Sequence, residues 1–288
     1  MKQHYVPKTF LRSFQDPKKP SFVWVYRRRQ EPIQINIINI AKEHNLYTFA
    51  EPGGQPTLEV ETALARLEGA VTPLLRRINK SESGIELTRE EKYVLALFSA
   101  YQYVRTPAMQ RGHREKAILM MRDVAAELGA TFTDPPPKDE RPYSGLQKAS
   151  MLEALSRAPE IALELMVRRV EILRSRDVPF ITSDVPATTV GAPPGFTGPE
   201  FFEIFMPVGP KAAILFCQDS RVPILEAKIN AGCRFVRPDN ARTINRTTVS
   251  IAERFLFASY RDEGVRNLFD KTDRPTRASV EEFEILMS

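Results

Sequence analysis

Five side chains of types that carry out acid–base or phosphate chemistry are spread along the chain. They are His4, Glu61, Glu68, Arg105 and Asp184. Imidazole titrates near neutral pH, carboxylates bind divalent metals or move protons, and guanidinium groups bind phosphate through paired hydrogen bonds. This combination indicates either hydrolysis of a phosphodiester or a buried hydrogen-bond network that does no chemistry.

The spacing of four polar residues indicates which of them share a helix face. Glu61 and Glu68 lie seven residues apart, nearly two turns, so both carboxylates point the same way. Gln102 and Arg105 are three residues apart on the next helix and share one of its faces. Arg105 precedes Pro107, which kinks or ends that helix. We expect Arg105 either to pair with an acid and cover a free carbonyl, or to hold an anion with its guanidinium fork.

Two later segments carry polar residues in structural contexts that leave alternatives open. Ser183 and Asp184 lie at the end of an apolar strand predicted over Val178–Ser183, shortly before Pro186. Strand ends are frequent places for catalytic carboxylates, but Asp near proline is equally typical of a turn. Asn245 falls within a helical pattern, where Asn has low propensity, so we expect it to bond to a neighbouring loop.

Familiar catalytic and metal motifs do not occur in the sequence. It contains no P-loop, no dinucleotide-type glycine pattern and no nucleophile-elbow serine. The three histidines and two cysteines do not have the spacing of a zinc site. A carboxylate site for Mg²⁺ or Mn²⁺ needs few histidines, and Glu68 with Asp184 would be its ligands.

Composition describes an ordinary globular chain with a basic balance. Of the 288 residues, 42% are hydrophobic and 27% are charged, and the net charge is +5. The basic residues form small clusters, which suit a nucleic acid or another phosphate-containing ligand and also suit plain solvated surface. No apolar run reaches the roughly 18 residues that span a bilayer, so we expect no membrane partner. With only two cysteines, a reducing cytoplasm is the expected location.

The hydrophobic pattern predicts an α+β fold. Short strands at 22–26 and 33–38 indicate a small N-terminal β element. Apolar residues at spacings of three and four then predict a helical middle. Short strands between Pro and Gly turns predict an antiparallel β meander, followed by closing helices at 241–258 and near 263–269. Because strands and helices are segregated, α+β is favoured over a doubly wound sheet.

A proline-rich stretch gives the best candidate for a boundary within the chain. Residues 134–142 contain four prolines and cannot form regular structure. We treat 1–288 as a single domain with a candidate subdivision near 134–145. It would separate a mostly helical half, 1–133, from a β-containing half, 146–288.

Several short motifs occur in an order that resembles a bacterial family called domain of unknown function 4238. They are HYVPKTFLRSF near the start, Tyr47 after Glu43, EVETALARLEGA, YQYVRTP, PFITSDVP, a Met-Pro-Val-Gly-Pro strand end at 206–210 and a helix with Asn245. Lys8 stands where the family usually has glutamine. The resemblance implies no reaction, but it implies one shared polar site formed by His4, Glu68, Arg105, Ser183 and Asp184. We also expect residues 4–14 to be packed, with His4 directed toward that site.

Two functions of different classes follow from these residues. The first is a metal-dependent, nuclease-like hydrolase in which Asp184 with Glu61 or Glu68 holds the metal. His4 would transfer a proton and Arg105 would stabilise the developing charge on phosphate. The second is a non-catalytic binding or sensing protein, in which the same residues form a buried network and Arg105 pairs with Asp184 or Glu68.

Overall fold

The helices and strands of the chain occur in the mixture that the sequence predicts. A computed structural model describes residues 2–44, 46–47, 58–131, 145–190, 203–221 and 228–272. The helices in these ranges are α1 (Lys8–Leu11), α2 (Glu59–Lys80), α3 (Arg89–Val104), α4 (Pro107–Glu127), α5 (Gly145–Ser156), α6 (Ala158–Met166), α7 (Pro238–Ile251) and α8 (Glu263–Lys271). The α+β prediction is confirmed.

The strands of the described ranges form three sheets. They are β1 (Lys2–His4), β2 (Phe22–Tyr26), β3 (Ile33–Asn36), β4 (Lys42–His44), β5 (Ile85–Thr88), β6 (Arg168–Arg174), β7 (Thr182–Ser183), β8 (Thr188–Val190), β9 (Glu203–Gly209), β10 (Ala212–Arg221), β11 (Lys228–Phe235) and β12 (Leu256–Ala258). The strand orders are β1-β4, β3-β2-β12-β7 and β5-β11-β6-β10-β9-β8. The expected meander exists at β8, β9 and β10, but β11 crosses to the far side of β6 and pairs with it in parallel.

Helices α2 and α3 form where the sequence has its longest apolar stripe and its clearest cap. In α2, Leu64, Val71 and Ile78 recur at seven-residue spacing and are buried. The expected capping box begins α3: Thr88 accepts a hydrogen bond from the Glu91 backbone, and the Glu91 carboxylate accepts one from the Thr88 backbone. These two helices bring the predicted Glu and Arg positions next to each other.

Proline ends helix α3 rather than kinking it. The helix stops at Val104, and Arg105 and Thr106 link it to α4. Pro107 occupies the first turn of α4, where its missing N–H is not needed. The Thr106 hydroxyl caps α4 by accepting a hydrogen bond from the Met109 backbone at 3.3 Å. The short link fixes Arg105 at a helix end, with its side chain almost fully buried.

The predicted closing helix at 241–258 is too long. Helix α7 ends at Ile251, and residues 256–258 form strand β12 between β2 and β7. The reason is a competing set of bonds, because the side chain of Asp184 accepts the backbone N–H groups of residues 253–255. Those N–H groups are therefore not available for another helical turn.

The N-terminal segment is packed, as expected. Its buried residues are Tyr5, Val6, Phe10, Leu11 and Phe14. They belong to the largest hydrophobic cluster, which also contains Phe98 of α3 and Val170 of β6. This cluster therefore joins residues from both sides of the proposed subdivision near 134–145, whose positions 132–144 lie outside the described residues.

Two further observations concern membrane-spanning helices and the state of the cysteines. In the described ranges, no helix combines the length and the apolar character that crossing a bilayer requires. Cys217 and Cys233 are both free, with Cys217 buried in the core.

Candidate functional site

The guanidinium group of Arg105, at the end of α3, is hydrogen-bonded by the described residues on one side only. The Arg105 side chain is 1% exposed, and its Nη1 donates a hydrogen bond to Glu68 Oε1 of α2 at 3.1 Å. Its Nε and Nη2 are buried and have no hydrogen-bond partner among the described residues. These two nitrogens form one edge of the guanidinium, the edge that holds two oxygens of a carboxylate or phosphate in parallel bonds.

Two more side chains, Gln102 and Tyr47, are buried and lack hydrogen-bond partners among the described residues. Gln102, one turn before Arg105 on α3, is fully buried, and within the described residues neither its amide nitrogen nor its oxygen is hydrogen-bonded. The Tyr47 hydroxyl is likewise buried and unpartnered there. Arg105 is the charge that acts most strongly on this hydroxyl, and burial raises the pKa of Tyr47 far above its usual value. Native interiors seldom leave so many polar atoms unpaired, and residues 45 and 48–57, which flank Tyr47 in the chain, lie outside the described residues.

Glu61 stands beside the same group and holds its proton more tightly than a solvated glutamate. Burial is the main cause of its raised pKa, and the Glu68 carboxylate adds to it. The charges of Arg105 and Lys8 act in the opposite direction. The seven-residue spacing thus brings the two carboxylates to one place, as the helical pattern predicts. We call Glu61, Glu68, Arg105, Gln102 and Tyr47 the Arg105 cluster.

Asp184 has a different role, because its carboxylate is already saturated by the backbone. Oδ1 accepts the N–H of Glu253 at 2.9 Å, and Oδ2 accepts those of Arg254 at 2.8 Å and Phe255 at 3.2 Å. Burial raises the pKa of Asp184 to about 6, although the three bonds favour the charged form. The Ser183 hydroxyl bonds only to the backbone of Val185, in a local turn. The turn interpretation therefore describes this segment.

Asn245 holds a neighbouring segment, as its position in a helix predicts. Its Oδ1 accepts the N–H of Ile181 at 3.2 Å, and its Nδ2 donates to the Pro179 carbonyl at 2.9 Å. It therefore fixes α7 to the strand that leads to Ser183 and Asp184. These three residues form a structural network between the C-terminal helix and the sheet.

His4 points away from the position that was expected for it. Strand β1 pairs with β4 so that Gln3 faces Glu43 and His4 faces Lys42. Because side chains alternate along a strand, His4 lies on the opposite face from Gln3, whose Oε1 accepts the Tyr47 N–H at 2.6 Å. Burial, with the nearby Lys8 and Lys42 charges, lowers the pKa of His4 to about 4. The imidazole is therefore neutral at neutral pH and is not directed into the Arg105 cluster.

Glu43 connects the Arg105 cluster with the segment after α7 that Asp184 holds. Its carboxylate accepts a hydrogen bond from Arg254 Nη2 at 2.5 Å, and the same nitrogen lies 3.5 Å from the Tyr5 hydroxyl. The Glu43 charge acts on both Tyr5 and Tyr47. The structure thus brings Glu61, Glu68 and Arg105 together, buries Gln102 one turn before Arg105, and places Ser183, Asp184 and Asn245 in a separate network.

Sequence reasoning did not assign Tyr47 to a polar site. Its only signal was its place after Glu43 in the ordered motifs, since nothing local shows that a tyrosine hydroxyl will be buried beside an arginine. Within the described residues, no three His, Cys, Asp or Glu side chains come together as a metal-binding group. The Mg²⁺ or Mn²⁺ site at Glu68 and Asp184 stays a prediction.

The saturated carboxylate of Asp184 gives a test of its structural role. Asp184→Ala would leave three backbone donors without their acceptor, and we expect the free energy of unfolding to fall by about 3 kcal/mol in urea denaturation. The matched control is Asp177→Ala, an exposed aspartate outside the helices and strands, which should cost less than about 0.5 kcal/mol. Equal losses in the two variants would show that Asp184 does not hold residues 253–255.

Comparison with known proteins identifies a family and no closer relative. The model of the family described as "Protein of unknown function (DUF4238)" matches residues 2–262 of the 288. No curated protein and no solved structure matches the chain. The match covers most of the sequence and confirms the resemblance that the ordered motifs carry.

Proposed function

Because the chain belongs to the DUF4238 family, whose description names no activity, we propose a function from the site itself: the Arg105 cluster binds the carboxylate or phosphate group of a polar ligand. The supporting observation is the unpartnered edge formed by Arg105 Nε and Nη2. A carboxylate and a phosphate share the chemistry that this edge recognises, two oxygens side by side.

The free energy of unmet hydrogen bonds favours occupation of this edge. An unsatisfied buried donor costs about 1–3 kcal/mol, and more when it is charged. Arg105 has two such donors, and the Tyr47 hydroxyl adds a third. A bound oxyanion would accept all three, whereas the described side chains offer Arg105 a single ion pair, with Glu68.

Protonation of Glu61 would remove the charge that opposes an entering anion. Arg105 and Glu68 neutralise each other, so an ionised Glu61 leaves the empty site negative and repels the anion. The raised pKa of Glu61 makes protonation of its carboxyl easier, and a protonated carboxyl donates a hydrogen bond instead of repelling the anion. Ligand binding would therefore be accompanied by proton uptake and would weaken as the pH rises.

Paired tyrosine variants separate ligand binding from fold stability. Tyr47→Phe removes a hydroxyl that has no partner among the described residues, so we expect unchanged stability but about tenfold weaker binding of succinate or inorganic phosphate. The control is Tyr26→Phe, because the Tyr26 hydroxyl donates to the Tyr260 carbonyl at 2.9 Å and accepts the Asp262 N–H at 2.7 Å. That variant should lose about 1–2 kcal/mol of stability and keep its affinity.

Titration calorimetry with each anion measures the affinity, and urea denaturation measures the stability. The comparison of succinate with phosphate distinguishes the two classes of ligand. If neither anion binds the unaltered protein, or if Tyr47→Phe binds as tightly as the unaltered protein does, the Arg105 cluster is not the binding site.

Hydrolysis of a phosphodiester is the second candidate function, and Glu61 is the observation that favours it. A half-buried carboxyl with a raised pKa, coupled to a second carboxylate, suits a general acid or base. Arg105 would stabilise charge on the phosphate. In this proposal Asp184 does not bind the metal, since its two oxygens already accept three backbone hydrogens.

A nuclease assay tests this second function. Purified protein is incubated with plasmid, single-stranded DNA and RNA in Mg²⁺, in Mn²⁺ and in EDTA. We expect cleavage that Glu61→Gln lowers by at least about a hundredfold, in line with the loss of a general acid or base. Cleavage that Glu61→Gln retains in full would assign the activity to other residues, and no cleavage of any substrate would leave anion binding as the function.

A further inference from the structure

A second, separate feature of the molecule is a cavity of about 660 Å³ beside the C-terminal half of α2. Four basic side chains line it: Arg12, Arg76, Lys80 and Lys211. Its other lining residues are uncharged, and most of them carry hydroxyl or amide groups. The volume lies within the range of small-molecule sites in proteins, roughly 300–1,000 Å³.

None of the four cations is paired with an acid in the part of the chain that the structure describes. Among the described residues, no carboxylate forms an ion pair with Arg12, Arg76, Lys80 or Lys211. The contrast with the next residue on α2 is direct, because Arg77 forms two hydrogen bonds of 2.7 Å with Glu91. Arg77 thus stabilises the fold through Glu91, whereas its neighbour Arg76 lines the cavity.

Helix-end electrostatics explains only part of this grouping. Lys80 lies in the last turn of α2, where a cation is favourable next to the free carbonyl groups. Arg12 comes from the short 3₁₀ turn after α1, and Lys211 comes from the turn between β9 and β10. Three separate elements therefore contribute cations to one concave surface, which concentrates positive potential there.

The wall of the cavity is fixed by the fold. Asn79 donates hydrogen bonds to the carbonyls of Leu75 and Val208, which ties α2 to β9. It fits there because Gly209 has no side chain, and a Cβ at that position would lie 2.0 Å from the Asn79 oxygen. The turn that carries Lys211 is held by its carbonyl, which accepts the Ser175 N–H at 3.3 Å. The cavity is thus a preformed site, with its charges on adjustable side chains.

A hydroxyl group of one lining residue also lacks a partner in the described part of the chain. The Thr9 hydroxyl is buried and forms no hydrogen bond there, although Thr9 lines the cavity. Because this oxygen is sealed from solvent, it can donate to a ligand only after the side chain rotates.

From these observations we infer that the cavity binds a small ligand that carries two or more phosphate groups. Four cations without a single lining acid match several negative charges in a compact volume. No aromatic side chain lines the cavity within the described residues, so it offers no platform for stacking a base. A condensed phosphate or a multiply phosphorylated small molecule fits this chemistry better than a nucleic acid strand.

Calorimetric titration of the full chain with tripolyphosphate tests the inference. We expect the double variant Arg12→Ala, Arg76→Ala to bind at least about tenfold more weakly than the unaltered protein. The matched control is Arg66→Ala, Arg89→Ala, which loses the same charge from exposed positions outside the cavity and should bind as the unaltered protein does. Both pairs are exposed side chains, and equal melting temperatures without ligand would show that both variants are folded.

Three other results would each overturn the inference and show where, or to what class of ligand, the protein binds. Equal weakening in the two double variants would mean that net charge and not the cavity holds the anion, which overturns the inference. Loss of binding in Tyr47→Phe alone would move tripolyphosphate to the Arg105 cluster and also overturn it. Tighter binding of a single-stranded oligonucleotide than of tripolyphosphate, abolished in Arg12→Ala, Arg76→Ala, would replace the small ligand by nucleic acid.

Discussion

A buried guanidinium group is the constraint on which the arrangement of this protein depends. Arg105 is held at the end of α3 by the proline that follows it, where only 1% of its side chain reaches solvent. A charge in that position must be paired, and α2 supplies Glu68 for one side of the fork. On the other side, Nε and Nη2 have no partner in the described part of the chain, and neither do the buried Tyr47 hydroxyl and Gln102 amide. In the proposed function these groups form a ligand site rather than only a core.

Asp184 is a buried carboxylate whose two oxygens both accept hydrogen bonds from the backbone. It is as buried as Arg105, but three backbone donors surround its oxygens and pin the segment that follows α7. The two residues differ in what their free atoms can do: the backbone bonds of Asp184 hold elements together, whereas Nε and Nη2 of Arg105 can still donate to a ligand. In the proposed function Ser183, Asp184 and Asn245 therefore serve the fold, while Arg105, Gln102 and Tyr47 serve the site.

The spacing of residues along the chain was enough to predict those parts of the site that lie on a single helix. The seven-residue interval between Glu61 and Glu68, and the three-residue interval between Gln102 and Arg105, both fix a shared face, because helical geometry needs no knowledge of the rest of the chain. The side of β1 that His4 occupies depends on the register with β4, which a short strand does not reveal. The partners of Asp184 lie about seventy residues later in the chain, and the strand that ends α7 early is paired with β2 from the other terminus. The basic cavity likewise forms only when Arg12, Arg76 and Lys211 are brought together by tertiary packing.

The most direct test of the open guanidinium edge is a crystal structure of the full chain grown with succinate or phosphate, at a resolution that shows ordered water. The geometry at Arg105 predicts an oxyanion with two oxygens about 2.7–3.2 Å from Nε and Nη2, one of them also bonded to the Tyr47 hydroxyl. A protein carbonyl or carboxylate occupying those two nitrogens in the crystal would contradict it, because Arg105 would then be a structural group like Asp184.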